Sequence, residues 1–267
     1  MIDAGTRQRE LLITTTTGEP MQPARLYYRI AGGRRAAVVR ILGTLKCVER
    51  VPGGPPRWGW WHAKEAARLD FSRFAESARP SPDTIVLGII DMREPDAMEI
   101  TVRSLHRAVL AARFFGCRLG ERVSLVRVRV LNRLLTEEDL HDGVDAVDDL
   151  LDGDVTMVDP REAQARWEMA LARRGSDGVR SLEDLEGVAR ELLEDDRPDV
   201  PLLEDLPLAP EAETPSYSDL DLLLQLRMQR ALAHRLGQTD VTVRSIIRDV
   251  AARFAAGPAA TIAGARG

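Results

Sequence analysis

Side chains that could carry out acid–base or metal chemistry are few and scattered in this sequence. The four histidines are His62, His106, His141 and His234. None of them belongs to an HxH pair, an HExxH helix or another spacing typical of a metal centre. We interpret them as solvated or helix-capping side chains, which predicts neither a metal site nor a catalytic one.

Three carboxylates, Asp91, Asp96 and Glu99, lie around the end of an expected strand, where a metal-dependent nuclease could place its ligands. No lysine follows to complete such a site, and a turn rich in acids explains the three residues equally well. The acids of 137–154 lack the glycine-containing spacing of a calcium loop. We therefore predict a non-enzymatic protein with no metal and no cofactor.

A basic and aromatic set could form a binding surface. Arginines beside exposed rings suit single-stranded nucleic acid, because bases stack on the rings while guanidinium groups follow the phosphates. Tryptophan on a sheet is also a common core residue, so both interpretations stay open. The members of this set are Arg34, Arg35, Trp58, Trp60 and Trp61.

The strongest local pattern runs from Leu232 to Ile247 (LAHRLGQTDVTVRSII). It resembles the helix-turn-helix of bacterial DNA-binding proteins, and is most similar to that of sigma-factor region four. Ala233 is small where the two helices would cross, and Gly237 permits a left-handed turn. The apolar contact between the helices is assigned to Leu232, Leu236, Val243 and Ile246.

This resemblance implies that the second helix lies in the major groove of duplex DNA. Arg244 and Arg248 are one turn apart, so both could contact phosphates or guanine edges from one face. The alternative is an ordinary helical hairpin, in which Gly237 ends one helix and Thr239 or Asp240 caps the next. The residues that the resemblance places on DNA are Thr239, Val241, Arg244, Ser245 and Arg248.

Charge is unevenly distributed along the chain, whose net charge is −5. Residues 1–135 carry a charge of +10, residues 136–224 carry −20 and residues 225–267 carry +5. Such segregation indicates either an acidic segment that covers a basic surface of the same chain, or different partners for different segments. Separate solvated faces would produce the same count.

The elements that must position these residues follow from hydrophobic periodicity and turn signals. In the first half, Gly32-Gly33 is read as a hairpin turn and the strand at 84–91 as a buried central strand. Arg127 and Arg129 are expected on the basic outer face of the last strand. Strands are predicted at 10–17, 24–31, 36–51, 57–61, 84–91, 97–102 and 123–131, and a helix at 104–118.

From Thr136 the apolar period changes from 2 to 3.6, which predicts helices. Two more helices are expected from Asp159-Pro160 and from Ser181. The predicted units are a basic α+β domain at 1–135, an acidic helical segment at 136–196, a proline- and acid-rich linker at 197–217, a helical hairpin at 218–256 (helices 218–236 and 241–255) and a disordered tail at 257–267.

The predicted fold class is α+β, with a mostly antiparallel N-terminal sheet covered by one or two helices and an all-helical C-terminal part. We expect a regulatory or accessory protein that binds duplex DNA through its C-terminal helix-turn-helix-like module. The alternative is an adaptor subunit that binds a protein partner within a larger assembly. No signal peptide or membrane span is recognisable, which predicts a cytoplasmic protein.

Overall fold

The computed structural model describes residues 12–71, 85–141, 146–157, 169, 200–208 and 217–255. Short 3-10 helices lie at Lys64–Arg68, Gly120–Arg122 and Glu138–Leu140. The strands are β1 (Ala24–Ile30), β2 (Val48–Arg50), β3 (Arg57–Trp61), β4 (Val86–Asp91), β5 (Ala97–Val102), β6 (Val123–Leu131), β7 (Thr156–Met157) and β8 (Leu203–Pro207). The α-helices are α1 (Arg35–Thr44), α2 (Leu105–Leu119), α3 (Ala146–Asp149), α4 (Tyr217–Arg235) and α5 (Val243–Ala255).

The strands form one sheet in the order β2-β3-β4-β5-β1-β6-β8-β7. Every neighbouring pair is antiparallel except β7 and β8, which are parallel. The predicted α+β class with a mostly antiparallel sheet is therefore confirmed. The strands β4 and β5 pair with each other, with Asp91 opposite Glu99.

One face of the sheet is apolar and carries the main core. Leu26 of β1 and Ile100 of β5 are fully buried there, and α2 packs over β1, β5 and β6. The helix α4 packs in turn on α2 and adds Leu220 and Leu224 to the same core. Because side chains alternate along a strand, Arg25 and Tyr27 of β1 point to the opposite, charged face.

The predicted strand at 36–51 is wrong, because most of it is the helix α1. Its β-branched residues suggested a strand, but Val38 and Leu42 are four positions apart and both are fully buried, which is the helical spacing. The Gly32-Gly33 pair is correspondingly not a hairpin turn. Gly33 has φ of 71° and leads from β1 into α1.

The predicted helix at 104–118 is confirmed as α2. The hydroxyl of Ser104 accepts a hydrogen bond from the Arg107 backbone N–H at 3.1 Å, which caps its N-terminus. The predicted strand at 10–17 is reduced, in its described part, to a single bridge between Thr14 and Pro20.

The predicted linker at 197–217 is wrong in its middle, because 203–207 is the strand β8, which pairs with β6. Leu203 and Leu206 are buried, and so are the acids Glu204 and Asp205. Proline and acid content suggested an unpaired segment, but arginines of the same chain neutralise both acids. The C-terminal part is consequently not all-helical, and the sheet does not end at residue 135.

A second, smaller core lies beside the charged face and holds the short helix α3. Val147 and Leu151 are fully buried there against Leu131, Leu135 and Leu203. The two predicted C-terminal helices are confirmed as α4 and α5. Apart from Met169, the helices predicted from Asp159 and Ser181 lie outside the described residues, as does the predicted tail at 257–267.

Candidate functional site

The first part of the candidate site is the end of α4. Gly237 has φ of 82°, and its N–H donates to the His234 carbonyl oxygen at 3.0 Å. The Gln238 N–H donates to the Ala233 carbonyl oxygen, also at 3.0 Å. This pair of bonds is a Schellman turn. The predicted left-handed turn at Gly237 is therefore present.

The start of α5 is capped by two reciprocal bonds. The Thr242 N–H donates to Ser245 Oγ at 2.9 Å, and the Ser245 N–H donates to Thr242 Oγ1 at 3.0 Å. His234 Nε2 lies 2.7 Å from the Val241 carbonyl oxygen, which ties α4 to the residues just before α5. The connection is thus fixed at both of its ends.

The five predicted DNA-contacting residues are not equally accessible. Thr239 and Arg248 are exposed, whereas Val241, Arg244 and Ser245 are half-buried. The Ser245 hydroxyl is engaged in the cap, where it also donates to the Thr242 carbonyl oxygen at 2.9 Å. We therefore assign Ser245 a positioning role and keep Arg248 and Thr239 as the most accessible members of the set.

The contact between the two helices differs from the predicted one at one position. Leu232, Val243 and Ile246 are half-buried as expected, but Leu236 is 78% exposed. Its predicted contact is wrong, because it lies at the left-handed turn and points to solvent. The connection 236–242 is also longer than the 3–4-residue turn of a helix-turn-helix.

An apolar stripe of α5 continues beyond this contact into solvent. Ile247 is 37% exposed and Val250 is 41% exposed, and both continue the helical spacing that starts at Val243. The same helix therefore presents an exposed arginine, Arg248, and exposed aliphatic side chains.

The predicted basic and aromatic set is only partly brought together, because Arg35 and Trp58 line one pocket whereas Trp60 lies in the core. Trp58 is 5% exposed and Trp60 is fully buried, and the Trp60 ring packs on Phe115 with centroids 5.2 Å apart. Neither ring is open to a base, so the interpretation of these tryptophans as a stacking surface is wrong and the core interpretation is confirmed.

The remaining members of that set have separate surroundings. Arg34 is exposed and Trp61 is half-buried. Arg35 donates to the Met92 carbonyl oxygen at 2.6 Å and also to that of Glu94. Arg35 therefore fastens α1 to the turn between β4 and β5.

Three arginines on the charged face of the sheet meet the short acidic helix α3. Arg103 Nη1 donates to Asp148 Oδ1 at 3.0 Å, and Arg57 Nη2 lies 3.5 Å from Asp148 Oδ2. Arg25 donates to Asp152 Oδ1 at 2.5 Å and to the Asp148 carbonyl oxygen at 3.2 Å. Residues distant in sequence are thus combined into one ion-pair network.

A second network covers the same face where β6 meets β8. Asp205 Oδ1 accepts from Arg129 Nε at 2.8 Å, and Asp205 Oδ2 accepts from Arg127 Nη1 at 2.9 Å. The Arg127 guanidinium also stacks over the Tyr27 ring, 3.9 Å from its centroid. Burial raises the pKa of Tyr27, although Arg25 and Arg129 oppose that shift. The basic outer face predicted for β6 is therefore present, but its arginines are paired.

These contacts distinguish between the interpretations of the charge segregation. In the described residues, acids of the segment 136–224 pair with arginines of the basic first half. Self-coverage of a basic surface is confirmed for these pairs. Period-2 alternation could have placed Arg25 on this face, but nothing in the sequence indicates that Asp148, more than a hundred residues away, is its neighbour.

A buried polar network that sequence reasoning missed joins the N-terminal segment to α2. Glu19 Oε1 accepts from Arg107 Nε at 2.9 Å, and Glu19 Oε2 accepts from the hydroxyls of Thr15 and Thr17. Burial alone would raise the pKa of Glu19, but Arg107 and the two hydroxyls outweigh it and lower that pKa. The network is satisfied internally, which indicates a structural role.

The described residues contain no group of three or more His, Cys, Asp or Glu side chains arranged to hold a metal ion. His62 and His106 flank the Phe71 ring at centroid distances of 5.2 and 5.7 Å. Burial, reinforced by Arg107, lowers the pKa of His62.

Within the described part of the chain, no helix combines the length and apolar composition that a membrane crossing needs.

No family model matches this chain, and no curated protein or solved structure is significantly similar to it. Its function is therefore inferred from the contacts and exposures described above.

Proposed function

We propose that this chain is a non-enzymatic regulatory or accessory protein that binds duplex DNA through α4 and α5. The observation that carries the proposal is the exposed Arg248 on a helix whose N-terminus is capped and tied to α4. A fixed helix with an exposed arginine in its second turn suits major-groove contact. The proposal puts the protein in the cytoplasm, where bacterial DNA lies.

The contacting residues divide by accessibility. Arg248 and Thr239 are exposed and would reach DNA directly. Arg244, one turn before Arg248, is half-buried, and would approach a phosphate with the end of its long side chain. Val241 and Ser245 hold the connection and the helix start in place.

The charge distribution supports the same location. Acids of the same chain pair with the arginines on the charged face of the sheet, which are Arg25, Arg57, Arg103, Arg127 and Arg129. Such pairs present less positive potential to an approaching polyanion than their number in the sequence suggests. Arg248 of α5, in contrast, is exposed.

The test compares the full-length chain with Arg248→Ala and with Arg40→Ala, in which another exposed helical arginine is removed. Affinity for duplex DNA is measured by fluorescence anisotropy over a range of salt concentrations. Arg248→Ala should weaken binding by about 1–3 kcal/mol, or reduce the salt slope by about one if the contact is to a phosphate. Arg40→Ala should change neither.

Equal affinities and equal salt slopes for the three proteins would count against α5 as the DNA-binding element. A selection of random duplex sequences provides the probe, since the preferred site is unknown. Circular dichroism of each variant controls for loss of helix.

The second candidate is the adaptor function, which the exposed Ile247 and Val250 favour. Exposed aliphatic side chains on one stripe of a helix suit a protein partner better than a phosphate backbone. Ile247→Ser with Val250→Ser should then reduce recovery of a protein partner and leave DNA affinity unchanged. If DNA is the ligand, Arg248→Ala should reduce DNA affinity and leave recovery of a protein partner unchanged.

A further inference from the structure

Three arginines from separate parts of the chain converge on one residue, Asp148. Arg25 belongs to β1, Arg57 to β3, and Arg103 directly follows β5. All three contact Asp148, two through its carboxylate and Arg25 through its backbone oxygen. We refer to Arg25, Arg57 and Arg103 as the arginine cluster. A guanidinium group matches phosphate as well as carboxylate, because both offer paired oxygen acceptors.

The arginine cluster has donor capacity beyond its contacts with α3. Arg57 Nε is buried without a hydrogen bond among the described residues. Arg57 Nε lies 3.7 Å from Asp91 Oδ2 and Arg57 Nη2 lies 3.5 Å from Asp148 Oδ2, and both distances are longer than those of good hydrogen bonds. Asp91 is 8% exposed, and its Oδ1 also lacks a hydrogen bond among those residues. Arg57 and Asp91 are therefore only partly satisfied by their described neighbours.

The helix α3, which carries Asp148, is held in place by contacts with other elements. The helix α3 has four residues, too few to be stable without tertiary contacts. Val147 and Leu151 anchor it in the second core, and Asp148 and Asp152 join it to the arginines. Short elements of this kind open locally without unfolding of the whole domain.

We propose that the arginine cluster is a phosphate-binding site that the chain's own Asp148 occupies, so that α3 competes internally with a phosphate-bearing ligand. The site lies on the charged face of the sheet and does not depend on DNA binding by α5. The ligand's phosphate groups would replace the carboxylates of Asp148 and Asp152 when α3 opens.

The test uses the full-length chain with Arg248→Ala, which removes the proposed DNA contact of α5. Asp148→Asn with Asp152→Asn removes the competing charges and keeps the apolar anchors. The matched control is Asp149→Asn with Asp154→Asn, which makes the same charge change at exposed acids of the same segment. The probes are inorganic tripolyphosphate and a labelled oligothymidylate.

We expect the Asp148/Asp152 variant to bind at least about tenfold tighter than the control variant, with a steep salt dependence. Adding Arg103→Ala should reverse the gain. If both probes bind more tightly, the site recognises the phosphate group. If only oligothymidylate binds more tightly, the site recognises a nucleic-acid backbone. Both results support the proposal. Equal binding by the two double variants would overturn it.

A second measurement keeps the proposal testable if the Asp148/Asp152 variant does not fold. Hydrogen exchange is followed in the protein with Arg248→Ala alone, with and without the two probes. A phosphate-bearing ligand that displaces α3 should speed exchange of amides 146–152 and leave β1 unchanged. Unchanged exchange at 146–152 with both probes at saturating concentration would contradict the proposal.

Discussion

The sheet with its covering helices α1–α3, here called the sheet body, pairs the arginines of its charged face with acids, whereas the last helix of the helix pair α4 and α5 exposes Arg248. In the sheet body, arginines such as Arg107 and Arg129 are largely buried and paired with acids of the same chain. At the far end of the helix pair, Arg248 is exposed beside exposed aliphatic side chains. Arginine therefore stabilises the fold on the charged face of the sheet and is exposed to solvent at Arg248 of α5.

This difference shows why segment charges are an incomplete guide to binding. The first half of the chain has the larger positive count, but acids that follow it in sequence neutralise much of its charged sheet face. A buried ion pair mainly makes the loss of one partner costly, since the other charge is then left in a low-dielectric site. Substitutions in the two regions should accordingly differ in effect.

The largest effect on folding should come from Glu19→Gln. Glu19 is fully buried and Arg107 is 2% exposed, so the variant leaves a buried guanidinium without its counter-charge. We expect a loss of about 4 kcal/mol in the free energy of unfolding at pH 7. Urea denaturation followed by circular dichroism measures it, and a loss below about 1 kcal/mol would contradict the importance of this pair.

The loss of stability in Glu19→Gln should depend on pH. The pKa of Glu19 in the folded protein lies below its ordinary value of 4.5, so its contribution to stability is present above pH 4.5. That contribution is lost as the pH falls through the folded-state pKa. The difference in stability between the wild type and Glu19→Gln should therefore shrink below pH 4.5, and a constant difference would count against the assignment.

The second-largest loss in the free energy of unfolding is expected for Glu204→Gln, which weakens the connection between the sheet body and the helix pair. Glu204 of β8 accepts two bonds of 2.8 Å from Arg227 of α4, and both residues are buried. We expect a loss of about 3 kcal/mol. Hydrogen exchange should show faster exchange in α4 than in β1, whereas uniform acceleration would indicate that the two regions are not separable.

The smallest effect should come from Arg113→Ala. Arg113 of α2 contacts Asp221 of α4 at 3.2 Å, but its side chain is 49% exposed. Exposed pairs contribute less than about 1 kcal/mol, because water and salt screen them. It is a matched control for Glu204→Gln, since both pairs join α4 to the sheet body. A loss as large as that of Glu204→Gln would show that exposure does not separate the two classes.

Sequence reasoning predicted the features that depend on near neighbours. The α+β class, the helix at 104–118, the turn at Gly237 and the bounds of α4 and α5 to within two residues all follow from periodicity and local turn chemistry. It missed α1, because the β-branched residues in Arg35–Thr44 hid the helical spacing of Val38 and Leu42.

Features that depend on distant partners could not be predicted. The proline and acid content of 197–217 predicts a linker, whereas Arg129 and Arg227 neutralise the acids of β8 from β6 and α4. The position of Asp148 among three arginines follows only from the three-dimensional arrangement. At the candidate site, the sequence predicted the helix α5 but not that Ser245 is engaged in its cap.

In the proposed function, duplex DNA is bound by the helix pair and not by the sheet body. Hydrogen exchange of the full-length chain, with and without saturating duplex DNA, tests it directly. We predict slower exchange of amides in 239–252 and unchanged exchange in β1 and β6. Slower exchange in β1 and β6 with no change in 239–252 would contradict the claim and move the interface to the charged face of the sheet.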